Sequence, residues 1–148
     1  MQRFQFRLER VLGWRRKKCQ MEETRLAVCL GLVHAAERQI EHLRAERTSI
    51  DQELLKRSAI AAADFLNLSR YRLRAGKEAI ELDKELQQRE MSAADQLGRV
   101  QRAQQGVKLL EKMRERRLEE HTIGAGRELE QVAAEAYIAR WSQTHSTH

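Results

Sequence analysis

A heptad repeat constrains this chain more than any other feature. Stepping alternately four and three residues from Leu8 gives Leu8, Leu12, Arg15, Cys19, Glu22, Leu26, Cys29, Val33, Ala36, Ile40, Leu43, Arg47, Ile50, Leu54 and Arg57. Eleven of these fifteen positions are apolar. A 3.5-residue period keeps one stripe of a helix turned toward a neighbouring helix, so the pattern predicts a long coiled-coil helix. Arg15, Glu22, Arg47 and Arg57 interrupt the stripe. Long arginine stems lie over such a seam with their heads in water, so they do not end it.

The repeat loses phase in KRSAIAAADFLNL, residues 56–68. Ser58 and Asp64 are candidate N-caps there, because their side chains can accept from the free amides of a new helix. A reversal is expected at this place. Helix 1 is expected over about 4–57, a turn over about 58–64, and helix 2 over about 65–141. Leu66, Leu73 and Ile80 share one phase on helix 2, and Leu86, Ala93, Leu97, Val100 and Val107 follow with a drift. The glycines of TIGAGRE predict a kink or short break near 122–127, since each costs about 1 kcal/mol in a helix interior. The tail SQTHSTH, residues 142–148, is expected to be disordered. The fold class is all-α, one long antiparallel two-helix coiled-coil hairpin. An uninterrupted dimeric coil is the competing architecture.

Composition agrees with a narrow seam. Of the 148 residues 34% are charged and 5% aromatic, and proline is absent. A charged, aromatic-poor chain is also the signature of disorder, and the periodic leucines argue against that. No stretch of 18 apolar residues exists, so no membrane span is expected, and no secretory signal peptide is visible. Cys19 and Cys29 lie on the seam and read as small buried hydrophobes in a reducing compartment. No nucleotide-binding, metalloprotease or serine-hydrolase motif occurs, and the five histidines have no ligand spacing. No enzyme, metal or cofactor is therefore expected. Paired carboxylates such as Glu22-Glu23 and Glu119-Glu120 read as wet helix faces.

The net charge of +6 is unevenly placed. Residues 1–18 hold Arg3, Arg7, Arg10, Arg15, Arg16, Lys17 and Lys18 against Glu9, which is seven minus one, or +6. The remaining residues balance, with 21 basic and 21 acidic. Concentrated charge steers an oppositely charged partner. A smaller basic cluster comprises Arg70, Arg72, Arg74 and Lys77. On a helix Arg3, Arg7 and Arg10 would share one face. In a hairpin, Phe4, Phe6 and Trp14 would meet Tyr137 and Trp141 at the open end, as an end cap or as docking anchors. Phe65, Leu68 and Tyr71 form a second apolar cluster near the turn. A basic-region DNA-binding coil is the reading from another class. The apolar side of residues 4–12 argues against it, because a groove-reading helix is polar all round. A purely structural scaffold is a third.

FxFRLERVL and the spacing to Ala27, the mid-chain AADFLNLSRYRLRAGKEAIEL, and LEKMRERRLEE followed by RELEQVAAEAYIAR resemble, in order and spacing, the FliJ family of bacterial flagellar type III export proteins. The resemblance spans nearly the whole chain. It implies an antiparallel coil similar to the stalk subunit of rotary ATPases, working at the cytoplasmic face of the inner membrane. It implies as partners an export ATPase (a FliI-like hexamer), an export gate protein (FlhA-like) and export chaperones. The equivalent stalk of a virulence injectisome is the near alternative. On this resemblance, Arg3, Phe4, Arg7, Arg10, Trp14, Tyr137 and Trp141 are the expected ATPase-docking residues. Phe65, Leu68, Tyr71 and Arg72 are the expected gate or chaperone surface. Neither nucleic acid nor a membrane span is expected, though the gate could bring the chain to the membrane.

Overall fold

Two long helices packed against each other form the whole regular structure of the computed structural model, which describes residues 2–57, 59 and 61–146. Helix α1 is Glu9–Lys56, 48 residues. Helix α2 is Ala62–His145, 84 residues. Two units are distinguished along this pair, Gln20–Arg102 and Met1–Cys19 with Ala103–His148.

In the unit Gln20–Arg102, Arg57 meets Asp64 at 3.7 Å, Arg72 meets Asp51 at 3.0 Å, and Gln96 reaches Glu22. Residues later in α2 thus face residues earlier in α1, which is antiparallel pairing. Phe65 N donates to Ala61 O at 3.0 Å, so the first turn of α2 is built on Ala61. Asp64 is therefore not the N-cap expected of it. It lies in the first helical turn, near the positive end of the helix dipole and the Arg57 guanidinium. Ser58, the other expected cap, lies outside the described residues.

The seam foreseen for α1 is the one that packs. Thirteen of its fifteen positions are buried or half-buried, and Arg15 and Arg57 are the two exposed ones. For α2 the expected stripe is corrected. Leu66, Leu73 and Ile80 are 53%, 64% and 57% exposed. Leu97 is 45% exposed too, whereas Leu86, Ala93, Val100 and Val107 of the expected stripe do pack, joined by Leu68, Tyr71, Ala75, Ala79, Leu82, Arg89 and Gln96. Alanines alternate with larger residues on this face, and Ala75 and Ala93 are among its buried members, because helix axes about 8–10 Å apart leave little room at the closest approach.

Glu22 does not reach water as the arginines do. It is 8% exposed, against 7% for Gln96. Gln96 Nε2 donates both to a Glu22 carboxylate oxygen and, at 3.1 Å, to the Glu22 carbonyl. Arg25 lies 3.4 Å from the other carboxylate oxygen.

In the other unit, Arg16 pairs with Glu111 at 3.2 Å and Arg114 with Glu9 at 3.0 Å. The Arg15 stem crosses α2 where Gly106 leaves room: a Cβ there would lie 3.5 Å from the guanidinium. Leu12 is fully buried. Helix α2 runs through Gly124 and Gly126 without a break, and neither takes a positive φ. It also takes in residues 142–145, which were expected to be disordered. The Ser142 and Thr144 hydroxyls donate to carbonyls one turn back, and His145 stacks on Trp141 with ring centres 4.2 Å apart. These contacts satisfy the last turn locally. His148 lies outside the described residues.

Candidate functional site

The basic end is built by a short extended segment. Helix α1 was expected from about residue 4 but begins at Glu9, with Glu9 N donating to Phe6 O at 3.1 Å and Leu12 N to Leu8 O at 2.8 Å. Residues 2–6 are not helical. Phe4, Phe6 and Leu8 are half-buried while Arg3, Gln5 and Arg7 are exposed. This is the period-two alternation of an extended chain lying on an apolar surface. Arg3, Arg7 and Arg10 therefore do not share one helix face, because only Arg10 is on the helix.

The segment is tied to α2 at three points. His121 Nε2 donates to the Gln2 carbonyl at 2.9 Å. The Phe4 ring meets the His121 ring edge-on, with centres 5.6 Å apart. The Arg114 guanidinium lies 5.6 Å from the Phe4 ring centre while holding Glu9. Two open grooves flank the segment. One, of about 850 Å³, includes Arg3, Phe6, Arg7, Met113, Arg117 and Glu120 in its lining. The other, of about 590 Å³, is lined by Arg3, Phe4, Arg7, Glu9, Arg10 and Arg114 among others. Among the described residues Arg3, Arg7 and Arg10 form no ion pair. The grooves thus carry uncompensated positive charge beside aromatic rings. Trp14 stands exposed one turn further on, with Lys18 Nζ 5.3 Å and the Arg15 guanidinium 5.7 Å from its ring centre.

Tyr137 and Trp141 do not join this group. Phe4 meets α2 at His121, which lies 16 and 20 residues before them. At 1.5 Å per residue that is about 24 and 30 Å along the helix. They are 70% and 55% exposed. The expected gathering of aromatics fails because α2 is far longer than α1 and its leading segment together.

Near the turn, Leu68 and Tyr71 are half-buried on the packed seam, whereas Phe65 is exposed. Arg72 is held by Asp51. The Tyr71 hydroxyl is buried without a hydrogen-bond partner. Burial, and secondarily the nearby Glu46 carboxylate, pushes its pKa above the ordinary phenol value. A shallow cleft of about 250 Å³ lies beside it, lined by Leu54, Arg57, Asp64 and Leu68 among others.

The missed signal was in the sequence. FQFRL alternates apolar and polar residues, which marks an extended segment, but the heptad starting at Leu8 drew the helix through it. Among the described residues no group of three His, Cys, Asp or Glu side chains is placed to hold a metal ion. No described helix is long and apolar enough to cross a membrane. No protein-family model matches the chain, and neither does a curated protein or a solved structure.

Proposed function

We propose that this chain is a non-enzymatic stalk of the flagellar type III export apparatus, docking into an export ATPase ring and linking it to the export gate and chaperones. The FliJ resemblance supplies the system, and the antiparallel hairpin suits a stalk. The observation that carries the docking role is the set of unpaired arginines, Arg3, Arg7 and Arg10, standing beside Phe4 and Trp14. Fixed charge on the segment before α1 raises the encounter rate with an acidic ring, and the aromatic rings supply apolar contact once it has arrived. Tyr137 and Trp141, on the unpaired length of α2, serve a second contact with the ring. Phe65 and Arg72 serve the gate or chaperones, with Leu68 and Tyr71 supporting them from the seam. The protein then works in the cytoplasm, held peripherally at the inner membrane by its partners.

The test uses the flagellar ATPase encoded in the same genome. The parent chain should bind it with a salt-dependent association rate and raise ATP hydrolysis. Replacing Arg3, Arg7 and Arg10 by Glu should slow association about tenfold or more at low salt and reduce stimulation in parallel, with helix content unchanged. Equal binding and stimulation by the triple variant would remove the docking role. No binding by the parent would remove the export reading.

A further inference from the structure

The stripe that looked like the α2 seam is instead an exposed face with its own pattern. Leu66, Leu73, Ile80 and Met91 follow one another at spacings of 7, 7 and 11 residues. At 100° per residue the two seven-residue steps each turn back 20° and the eleven-residue step turns forward 20°, so the stripe runs straight along the helix. The packed residues Leu68, Tyr71, Ala75 and Leu82 lie on the opposite side of the same helix. Met91 is 69% exposed, more than the three before it. Four large apolar side chains thus stand in one row, all within the unit Gln20–Arg102.

Basic residues share this face. Arg70, Lys77 and Lys84 stand between the apolar members, and Arg74 borders them. Among the described residues none of the four forms an ion pair. Glu81 borders the stripe on the side of Arg74. Asp83 borders the stripe on its other flank, and Glu78, Glu85 and Glu90 lie nearer the seam.

We infer that this face is a docking surface for an acidic amphipathic helix of a partner protein. Heptad spacing is what a helix laid alongside α2 reads, because one knob per seven residues returns to the same side of both helices. The unpaired arginine and lysine heads select a partner with Glu or Asp beside its apolar row. A bilayer is a poorer occupant. An interfacial helix needs a broad apolar face, and here one apolar residue appears every two turns with lysine between. A second copy is also poorer, since two identical basic faces repel. The surface does not depend on what the basic end binds.

The probe is a helical peptide about 25 residues long, the length of the stripe, with Leu at every seventh position and Glu on either side. A counterpart carries Lys in place of Glu. The full-length chain should bind the acidic peptide and not the basic one. Arg70→Glu/Lys77→Glu/Lys84→Glu should weaken binding about tenfold or more, since three exposed charge pairs together carry about that much. Leu73→Gln/Ile80→Gln should weaken it similarly. Both variants should keep the parent's helix content and melting temperature, because the altered side chains are exposed. On the unaltered chain, the peptide should slow amide hydrogen exchange over residues 66–91. The proposal is overturned if the acidic peptide fails to bind, if both peptides bind alike, or if either variant binds like the parent. It is also overturned if phosphatidylserine vesicles or self-association, and not the peptide, protect this face.

Discussion

Removing Gln96 tests the polar contact at the middle of the seam. Gln96→Leu takes away the donor to a Glu22 carboxylate that is 8% exposed. A hydrogen bond to a charged group contributes about 1.5–3 kcal/mol. Arg25 stays near the carboxylate, and the leucine adds apolar burial of about 1 kcal/mol. The net expectation is a loss of about 0.5–2 kcal/mol. For a chain of this size that lowers the melting temperature by about 1–8 °C. Glu22→Leu/Gln96→Leu should restore or exceed parental stability, because replacing a buried polar pair by packed hydrophobes is neutral or stabilising by about 1–4 kcal/mol. The coupling energy from a double-mutant cycle in urea should therefore be about 2 kcal/mol. The double variant should also lose register. Spin labels at Val28 and Met91, both exposed, should give one narrow distance distribution in the parent. In the double variant a second population should appear, since a heptad slip moves the helices by about 10 Å. Additivity of the two single substitutions within about 0.5 kcal/mol would show that the pair is not a coupled unit and that register has another source.

Leu12→Ala removes a fully buried side chain and should cost about 2–5 kcal/mol in urea unfolding; a loss below about 1 kcal/mol would mean that the two helices close around the site. Tyr71→Phe deletes a buried hydroxyl that has no partner, so stability near neutral pH should hold or rise. The parent's Tyr71 pKa is raised by burial, so the fold favours the neutral phenol. The parent should lose stability relative to Tyr71→Phe as pH climbs past about 10 and through the raised pKa, and not below. A difference that grows on acidification would contradict the assignment. Ending the chain after Gly126 should leave the melting temperature within about 2 °C, because Leu129, Val132, Tyr137 and Trp141 are 55–70% exposed and exposed positions contribute little.

The α1 seam was legible in the sequence because its apolar residues keep one 3.5-residue register from Leu8 to Leu54, with single polar positions that do not shift the phase. The α2 seam was not. Its first large residues Leu66, Leu73 and Ile80 face outward, while Ala75, Ala79 and Gln96 pack beside Leu68, Tyr71 and Leu82. Hydrophobicity alone ranks the first set above the second, but close approach of two backbones favours the second. The same competition hid the extended segment. Phe4, Phe6 and Leu8 fit a period of two, yet Leu8 also opens the helical repeat. The basic character of the end was visible from the sequence, and Arg3, Arg7 and Arg10 form no ion pair among the described residues. The distance from Phe4 to Trp141 was not visible, since it depends on where the chain before α1 stops along α2.

The unequal length of the two helices sets how the end of α2 opens and closes. Beyond Ala125 every described residue of the helix is exposed, but this length does not bear the cost of starting a helix, because the paired turns before it serve as a nucleus. What remains is propagation, one residue at a time, with fraying from His145 inward. Gly124 and Gly126 stand at the root of this length, and each lowers the propagation constant by roughly fivefold relative to alanine, from about 1 kcal/mol apiece. The helix should therefore melt in two stages. Amide exchange should rise gradually from Trp141 toward the C-terminus, then step sharply at the glycine pair, so that residues 127–145 switch between a rigid lever and a tether while the hairpin before them stays closed.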